Sequence, residues 1–369
     1  MSEDVEKLPL SPGWLETLRR EWQGEGRQYW LTRFVILRAL GFVYLAAFLV
    51  LANQIVPLIG ERGLTPLVSY AEAAEHHYGS RWAVFWRLPS LFWFLPSDAL
   101  LVTLAWVGVV LSAIVLAGYA NALMLLALWA LYSSFVHVGQ VWYGYGWEIQ
   151  LLETGLLACF LCPWLDARPF PSRPPPTPVI WLFRWLVVRI MWGAGLIKLR
   201  GDTCWKDLSC LYHHYQTQPI PNPLSRYLHF APRWFHQAGV LFNHVVELVA
   251  PFFAFGPRRA RHVAGALFVA FQLFLIVSGN LSFLNWLTLV PALACFDDSW
   301  WARILPRRLV ARAELAARTA KESVAGRRAT LGVVLVVAVL SIFPVTNLLS
   351  RDQAMNRGYN PLDFVNTYG

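Results

Sequence analysis

Apolar stretches of about twenty residues recur along most of the chain and are separated by polar segments. A bilayer core about 30 Å thick is crossed by roughly 20 helical residues, and a helix satisfies its own backbone hydrogen bonds in lipid. The eighth stretch is short and could form a re-entrant pair with the seventh, so the pattern predicts about eight or nine spans. We therefore expect an all-α fold, a polytopic transmembrane helical bundle. The nine candidate spans are 34–56, 99–118, 121–138, 147–165, 179–199, 237–256, 262–279, 281–296 and 329–349.

The polar segments divide the chain into three parts. Residues 1–33 form an N-terminal segment, residues 34–349 form the transmembrane helical domain with two long loops (57–98 and 200–236), and residues 350–369 form a C-terminal tail. Lys and Arg residues outside the spans fall about twice as often on the N-terminal side of the spans as on the opposite side. Cytoplasmic loops carry such an excess. We therefore expect a cytoplasmic N-terminus, with the two long loops and the C-terminus facing a lumen or the periplasm.

Composition supports the membrane assignment and argues against other classes of protein. Hydrophobic residues make up 57% of the chain and charged residues 14%, whereas soluble domains carry roughly 25% charged residues. The net charge of +9 could indicate a nucleic-acid partner, but the basic residues lie between apolar spans. We therefore expect membrane lipid, and no nucleic acid, as a partner. The first 33 residues are polar and mixed in charge, so we expect the first span to act as an uncleaved anchor.

Ionisable side chains inside the predicted spans are the main candidates for chemistry, because charges are costly in lipid and often mark function. They are Glu153 in the fourth span, and Arg189 and Lys198 in the fifth. Glu153 is either a functional carboxylate or one half of a buried ion pair with Arg184 or Arg189. Arg184 lies near the cytoplasmic end and is expected to snorkel towards water. Lys198 is either a snorkelling lysine at the outer end or a base whose pKa is lowered by desolvation.

Further polar residues surround these candidates in the fourth and sixth spans. Glu148 lies at the start of the fourth span, where a carboxylate near water favours the helix dipole, and Trp147 and Gln150 flank it. His244 and Glu247 are three residues apart on one helical face of the sixth span. That spacing suits a hydrogen-bonded pair or a proton relay. Two such side chains do not make a metal site, so we expect none.

Two pairs of cysteines have short spacings. Cys159 and Cys162 form a C-x-x-C at the end of the fourth span, where buried inert thiols are favoured over a redox-active dithiol. Cys204 and Cys210 lie in the second long loop, where a disulfide is permitted but not required.

Two long motifs carry a family resemblance. They read WYGYGWEIQLLETGLLACFLCP at 142–163 and RGDTCWKDLSCLYHHYQTQPIPNPLSRYLHFAP at 200–232, and HVVELVAPFF follows them. In this order they resemble the lipase maturation factor family, although Cys204 and Cys210 do not match its pattern. The resemblance implies a protein of the endoplasmic reticulum membrane, or of a bacterial inner membrane, that assists the folding of secreted lipases or other exported clients. It also implies that PLDFVNTYG at 361–369 is the start of a further, β-rich domain.

A shorter resemblance concerns GAGLIKLRGDTCW at 193–205, which is similar to the segment of vitamin K-dependent γ-carboxylases that carries the catalytic lysine. It implies a membrane domain of the type called HTTM, with Lys198 at the position of the base. The alternative function is thus a membrane enzyme acting on a quinone, lipid or peptide, with Glu153 and Arg189 as further catalytic candidates and no cofactor evident. A lipid or quinone against Lys198 would favour the enzyme, and an exposed apolar surface on the outer loops would favour the folding factor. The loop residues of the candidate site are Asp202, His213, His214, Tyr215 and Gln218.

Overall fold

The computed structural model describes Glu16, residues 29–321 and residues 323–369. Most of the predicted N-terminal segment 1–33 therefore lies outside the described residues. Within the described ranges the chain forms helices and no β-strand, which confirms the predicted all-α helical bundle. The α-helices are α1 (Trp30–Ile59), α2 (Leu67–Tyr78), α3 (Arg81–Arg87), α4 (Asp98–Ala117), α5 (Ala122–Val138), α6 (Gly146–Cys159), α7 (Thr177–Gly201), α8 (Leu211–His214), α9 (Ser225–His229), α10 (Arg233–His244), α11 (Arg258–Ser278), α12 (Leu284–Ala292), α13 (Asp298–Trp301), α14 (Arg307–Arg318), α15 (Val324–Leu340) and α16 (Ile342–Leu349).

Helix length separates the elements that can cross a membrane from those that complete the bundle. In the part of the chain that is described, five helical segments are long and apolar enough to cross: α1, α4, α7, α11 and the consecutive pair α15–α16. Helix α5 and the segment Leu284–Cys295 are apolar but shorter, and α6 has 14 residues. Each predicted span thus contains a helix, but a helix of 14 residues does not cross a core of about 30 Å by itself.

The fourth predicted span is shorter in the structure than the sequence pattern suggests. The pattern extends over 147–165, whereas α6 ends at Cys159. Pro163 follows closely, and a proline disfavours helical backbone in the residue before it. The apolar residues after Cys159 therefore form a turn at the end of the bundle rather than a further helical turn.

The sixth predicted span is interrupted, so the prediction of a continuous helix over 237–256 is wrong. Helix α10 ends at His244 and continues as a π turn (Val245–Val249) and then a 3₁₀ turn (Ala250–Phe253). Pro251 accounts for the interruption, since proline lacks the backbone N–H and its ring clashes with the carbonyl four residues earlier. The π turn contains Glu247, one of the candidate residues.

The start of α1 is determined by a residue from the far end of the chain. The Asp298 carboxylate accepts the backbone N–H groups of Trp30 (2.8 Å), Leu31 (2.8 Å) and Thr32 (3.2 Å). The first N–H groups of a helix have no partner within the helix, and a carboxylate there satisfies them and suits the helix dipole. Asp298 therefore caps α1 from a different helix, α13.

Contacts between the loops sort them into two ends of the bundle. At one end, the Gln140 side chain donates to the carbonyl of Thr65 (3.0 Å), and the Arg200 guanidinium donates to the Gln353 side chain (2.7 Å). We name this the outer end, following the predicted topology. It contains the following segments: 60–98, 139–146, 201–236, 279–283 and 350–363.

The opposite, inner end is joined by a separate set of contacts. Arg33 donates to the carbonyl of Arg173 (2.9 Å), and Arg258 donates to the Asp297 carboxylate (2.6 Å). Between the two ends, α1 packs closely along α4. A Cβ atom on Gly108 would overlap the ring of Phe48, so this glycine allows the two helices to approach. Helix α7 is buried along most of its length.

The tail 350–369 returns to the bundle instead of extending away from it. Residues 364–368 are all buried, and Val365 and Asn366 have no exposed surface. The tail closes on itself through an isolated antiparallel bridge between Gly358 and Asn366. Its end therefore lies among the helices, next to α6 and α7.

Candidate functional site

Helix α7 carries four cationic side chains (Arg184, Arg189, Lys198 and Arg200), and each of them has a different set of partners. Arg184 is fully buried and donates to the carbonyl of Ala294 (2.8 Å) and to the hydroxyl of Tyr29 (2.8 Å). The predicted snorkelling of Arg184 is therefore wrong. The 3₁₀ turn after α12 (Leu293–Cys295) presents a carbonyl within reach, since the last carbonyls of a helix lack partners within it.

Lys198 lies at the outer end of α7 and forms an ion pair. Its ammonium donates to Glu247 Oε1 (2.6 Å) and to Asn243 Oδ1 (2.9 Å), and it lies 5.0 Å from the centre of the Trp205 ring. The Lys198 side chain is 24% exposed, and the Glu247 side chain is 3% exposed. Through these two hydrogen bonds Lys198 links α7 to the helical segment that contains Asn243 and Glu247.

The π turn after α10 positions the partners of Lys198. Asn243 Nδ2 donates to Glu247 Oε2 (2.8 Å), so these two side chains, four residues apart, share one face. The wider turn of a π-helix rotates Glu247 away from His244. The predicted His244–Glu247 pair is therefore wrong. His244 Nε2 lies instead 2.9 Å from the carbonyl oxygen of Trp205.

Trp205 belongs to a small disulfide-closed loop that covers Lys198. Cys204 and Cys210 form the disulfide, with their Cα atoms 4.7 Å apart, so the open question of this pair is answered by a bond. Asp202 Oδ1 accepts the backbone N–H of Cys204 (2.9 Å) and caps the turn that carries Trp205. Cys159 and Cys162 are free and buried, as expected.

The other loop residues of the predicted site do not converge on Lys198. His213 is exposed. Tyr215 is buried, with its ring 5.8 Å from that of His236. The Gln218 side-chain nitrogen lies 3.3 Å from His214 Nε2, and its side-chain oxygen Oε1 accepts the backbone N–H of Asn280. Gln218 therefore ties the loop to the turn after α11, and Tyr215 packs against His236 of α10.

His214 is nevertheless coupled to Lys198 by charge. Burial lowers the pKa of His214 below its ordinary value, and the positive charge of Lys198 lowers it further. The neutral imidazole is therefore favoured in the folded protein. Among the predicted loop residues, His214 is the one whose pKa is lowered by the charge of Lys198.

A second cluster surrounds Glu153 in the middle of the bundle. Glu153 and Arg189 form an ion pair between α6 and α7 in which both side chains are almost fully buried. Of the two arginines predicted as partners of Glu153, Arg189 forms the ion pair. The tail completes the cluster: Glu153 Oε2 accepts the backbone N–H of Asn366 (3.1 Å) and the hydroxyl of Tyr368 (2.7 Å), while Arg189 donates to the carbonyl of Asn366 (2.8 Å).

The remaining candidates on α6 bind separate partners. Glu148 is buried in the first turn of α6 and accepts a hydrogen bond from the Tyr132 hydroxyl, so it does not face water. Gln150 donates to Thr288 Oγ1 (3.0 Å). Trp147 stacks on Tyr145 with 4.5 Å between the ring centres. The predicted site residues are thus distributed over several polar contacts between helices, and Lys198 belongs to a different cluster from Glu153 and Arg189.

The predicted site residues thus form polar contacts that link neighbouring helices. Each of the two intramembrane ion pairs joins two segments, and a charge buried in this way is stable only when it is paired and hydrogen bonded. Among the described residues, no group of three or more His, Cys, Asp and Glu side chains is placed to hold a metal ion.

Comparison with known proteins identifies the family. The family profile described as "Lipase maturation factor transmembrane domain" matches residues 31–303. The chain belongs to the lipase maturation factor family. It is 49% identical over 361 residues to lipase maturation factor 1 of Bos taurus, which covers 92% of this chain and 64% of that protein. It is 48% identical to the Homo sapiens protein of the same name over 92% of this chain and 63% of that protein.

A second branch of the family is more distant. The chain is 33% identical over 287 residues to lipase maturation factor 2 of Homo sapiens, covering 73% of this chain and 40% of that protein. This chain spans less than two thirds of the length of the factor 1 relatives. No solved structure matches it. The similarity to the HTTM domain of γ-carboxylases stays a prediction.

Sequence reasoning missed four residues that complete the two clusters. Asn243 and Trp205 hold Lys198, and Asn366 and Tyr368 hold Glu153. Asn243 lies one helical turn before Glu247, which was a usable signal for a shared face. The tail residues carried no such signal, because an extended segment between helices has no periodic pattern.

Proposed function

We propose that this chain assists the maturation of exported proteins from within the membrane, with secreted lipases as the first candidate clients. The observation that carries the proposal is the 49% identity, across 92% of the chain, with a protein named lipase maturation factor 1. The chain contains the residues that match the transmembrane domain of the family, so the proposal concerns the activity of this membrane domain.

The pairing of the buried charges favours a factor that assists the folding of clients over an enzyme. Lys198 is paired with Glu247, and Arg189 with Glu153, so these side chains stabilise the bundle. The carboxylase-like alternative, in which Lys198 is a base acting on a quinone, lipid or peptide, is not favoured by the family comparison.

Exposed aromatic side chains at the outer end support a surface for a client. Trp82 and Trp86 lie one turn apart on α3 and are 63% and 73% exposed. Tyr227, Phe230 and Trp234, from α9, α10 and the segment between them, are also exposed. We name these five residues, which come from two separate segments, the outer aromatic surface. Where large exposed apolar side chains form a contiguous patch, they mark a site that contacts proteins or membranes.

We further propose that the protein resides in the endoplasmic reticulum membrane, or in a bacterial inner membrane, with a cytoplasmic N-terminus. The excess of Lys and Arg on the N-terminal side of the spans supports this orientation. The outer end, with its two long loops, then faces the compartment through which a secreted lipase passes. The disulfide Cys204–Cys210 suits such an oxidising compartment.

The test uses cultured animal cells from which the endogenous lipase maturation factors have been deleted. A secreted lipase is expressed with this chain or with an empty vector, and the activity of the secreted lipase is divided by its mass. We expect a higher specific activity with the chain. Equal specific activity, in cells where the chain accumulates in the membrane, would contradict the proposal.

A matched pair of variants locates the surface. Trp82→Ala combined with Trp86→Ala is expected to abolish the gain in lipase specific activity without reducing the amount of chain in the membrane. Trp106→Ala is the control, because Trp106 is an exposed tryptophan on the lipid-facing side of α4. If both variants behave alike, the outer aromatic surface has no special part in the activity.

A further inference from the structure

Residues 363–368, which we name the tail segment, run as non-helical chain among the helices, with a positive φ at Asp363 and a bend at Val365. They reach Glu153 near the centre of α6 and Arg189 near the centre of α7. Non-helical backbone at this depth is stable only where protein groups satisfy its hydrogen bonds. The bundle satisfies the backbone N–H and carbonyl of Asn366 and the hydroxyl of Tyr368, whereas Asn366 Oδ1 and Arg189 Nε have no hydrogen-bond partner among the described residues.

The groove between α6 and α7 forms hydrogen bonds with both the backbone and the side chains of the tail segment. Glu153 Oε2 accepts three hydrogen bonds from it: the Asn366 N–H (3.1 Å), the Asn366 side-chain amide (3.2 Å) and the Tyr368 hydroxyl (2.7 Å). Arg189 donates to the carbonyl of Asn366 (2.8 Å), and the Asn366 amide also reaches the carbonyl of Ile149 (3.3 Å). Charged groups that pair with backbone groups of an extended segment are typical of a peptide-binding groove.

The shape of α7 also suits the tail segment. A Cβ atom on Gly193 would overlap the carbonyl oxygen of Tyr368, so this glycine leaves the space that the segment fills. The Gln353 side chain donates to the carbonyl of Gly193 (2.9 Å). The Arg200 guanidinium in turn donates to Gln353 Oε1 (2.7 Å) and to the carbonyl of Leu348 (2.9 Å).

The tail segment itself contacts α7 at Arg189 and Gly193, and Gln353 and Leu348, which precede it, contact α7 at Gly193 and Arg200. Lys198 leaves the same stretch of helix to meet Glu247 and Asn243. We infer that the tail segment is an internal peptide ligand of the α6–α7 groove, and that its binding positions the outer turns of α7 and therefore Lys198. The tail residues act through α7 and do not contact the ammonium. This inference goes beyond the proposed function, since it concerns how the membrane domain is assembled.

The test compares three variants of this chain in lipid nanodiscs. Tyr368→Phe removes a single hydroxyl that donates to Glu153, and Asn366→Ala removes the side-chain amide. Leu362→Ala is the matched control, because Leu362 belongs to the same tail but is 43% exposed. Two quantities are measured by mass spectrometry: hydrogen exchange of the backbone amides of residues 364–368, and the rate at which an N-hydroxysuccinimide ester acetylates Lys198.

We expect slow amide exchange in the unchanged protein and in Leu362→Ala, and exchange about tenfold faster in Tyr368→Phe and Asn366→Ala, as a lost hydrogen bond to a charged group implies. Acetylation of Lys198 should rise in the same two variants, while amide exchange in α1 and α4 stays unchanged. Rapid exchange of residues 364–368 in the unchanged protein would overturn the binding of the tail segment. Faster exchange without faster acetylation would overturn the positioning of Lys198. Neither readout depends on a lipase, so a failure here is distinct from a failure of the proposed function.

Discussion

The Lys198 ammonium donates a 2.6 Å hydrogen bond to Glu247, whose carboxylate is almost completely buried. Removing one member of a buried pair leaves the other charge without compensation, which costs about 3–5 kcal/mol. Lys198→Met is therefore expected to lower the thermal unfolding temperature in detergent strongly. Replacing both residues by Met should recover most of that loss, and Lys206→Met, a change at an exposed loop lysine, should have little effect.

The same set of variants separates a structural lysine from a chemical one. If Lys198 serves the ion pair, the double variant that regains stability should also regain the gain in lipase specific activity. A catalytic base would leave the double variant inactive although it is folded. Recovery of stability without recovery of activity would therefore contradict our interpretation of this residue.

Replacing one partner of the Glu153–Arg189 pair is also expected to lower the stability of the protein, because both side chains are almost fully buried. Glu153→Met and Arg189→Met should each reduce the amount of folded protein in the membrane, with a loss of about 3–5 kcal/mol. The double Met variant should be more stable than either single variant. The control is Arg168→Met, which breaks an exposed ion pair with Asp166 and should leave the unfolding temperature unchanged. A loss in the double variant equal to the sum of the two single losses would show that the pair is not energetically coupled.

Gly193→Ala tests the space that α7 leaves for the tail. The added methyl group would overlap the carbonyl of Tyr368, so the tail has to move or α7 has to shift. We expect a lower unfolding temperature and faster hydrogen exchange in residues 364–368. Gly332→Ala in α15 is the matched control, since no atom lies within 4 Å of a Cβ there. Similar exchange in the two variants would mean that the close contact at Gly193 has no consequence.

The loop 200–236, which contains His214, should lose stability as the pH falls below about 6.5, the ordinary pKa of histidine. Burial and the charge of Lys198 lower the pKa of His214 in the folded state. The unfolded chain then binds a proton more readily than the folded chain, so the contribution of His214 is full above that pH and declines as the pH falls towards the lowered pKa. Thermal unfolding between pH 8 and pH 5 should show a smaller decline in His214→Gln than in the unchanged protein.

The comparison with a variant is needed because another group acts in the opposite direction. Burial and the negative charge of Glu153 raise the pKa of Asp363 in the tail to about 6, so its contribution to stability increases as the pH falls through that value. His213→Gln, a change at the exposed neighbour of His214, should keep the full decline. If both histidine variants show the same pH dependence, His214 is not the group responsible.

The amino-acid pattern predicted the helices and the charged positions inside them, but not their partners. Glu153, Arg189 and Lys198 stood out because a charge within an apolar stretch is visible in the sequence. Glu247 also stood out, yet it was assigned to the nearby His244 because regular helical spacing joins those two residues. The π turn, which includes Glu247 and packs against α7 near Gly195, was not predicted.

The sequence by itself determined that this protein is a bundle of membrane helices, because a helix in lipid satisfies its backbone locally and needs only a run of apolar residues. It also identified Glu153 and Arg189 as charges within the apolar spans, but it misplaced Arg184 and Glu148, which are buried rather than near water. The tertiary structure decided how those charges are paired, since the partners lie 36 residues apart for Arg189 and Glu153, 49 for Lys198 and Glu247, and 215 for Tyr368 and Glu153. Such pairs depend on the rotation and depth of whole helices and on an extended tail without periodicity, and neither is encoded in local sequence.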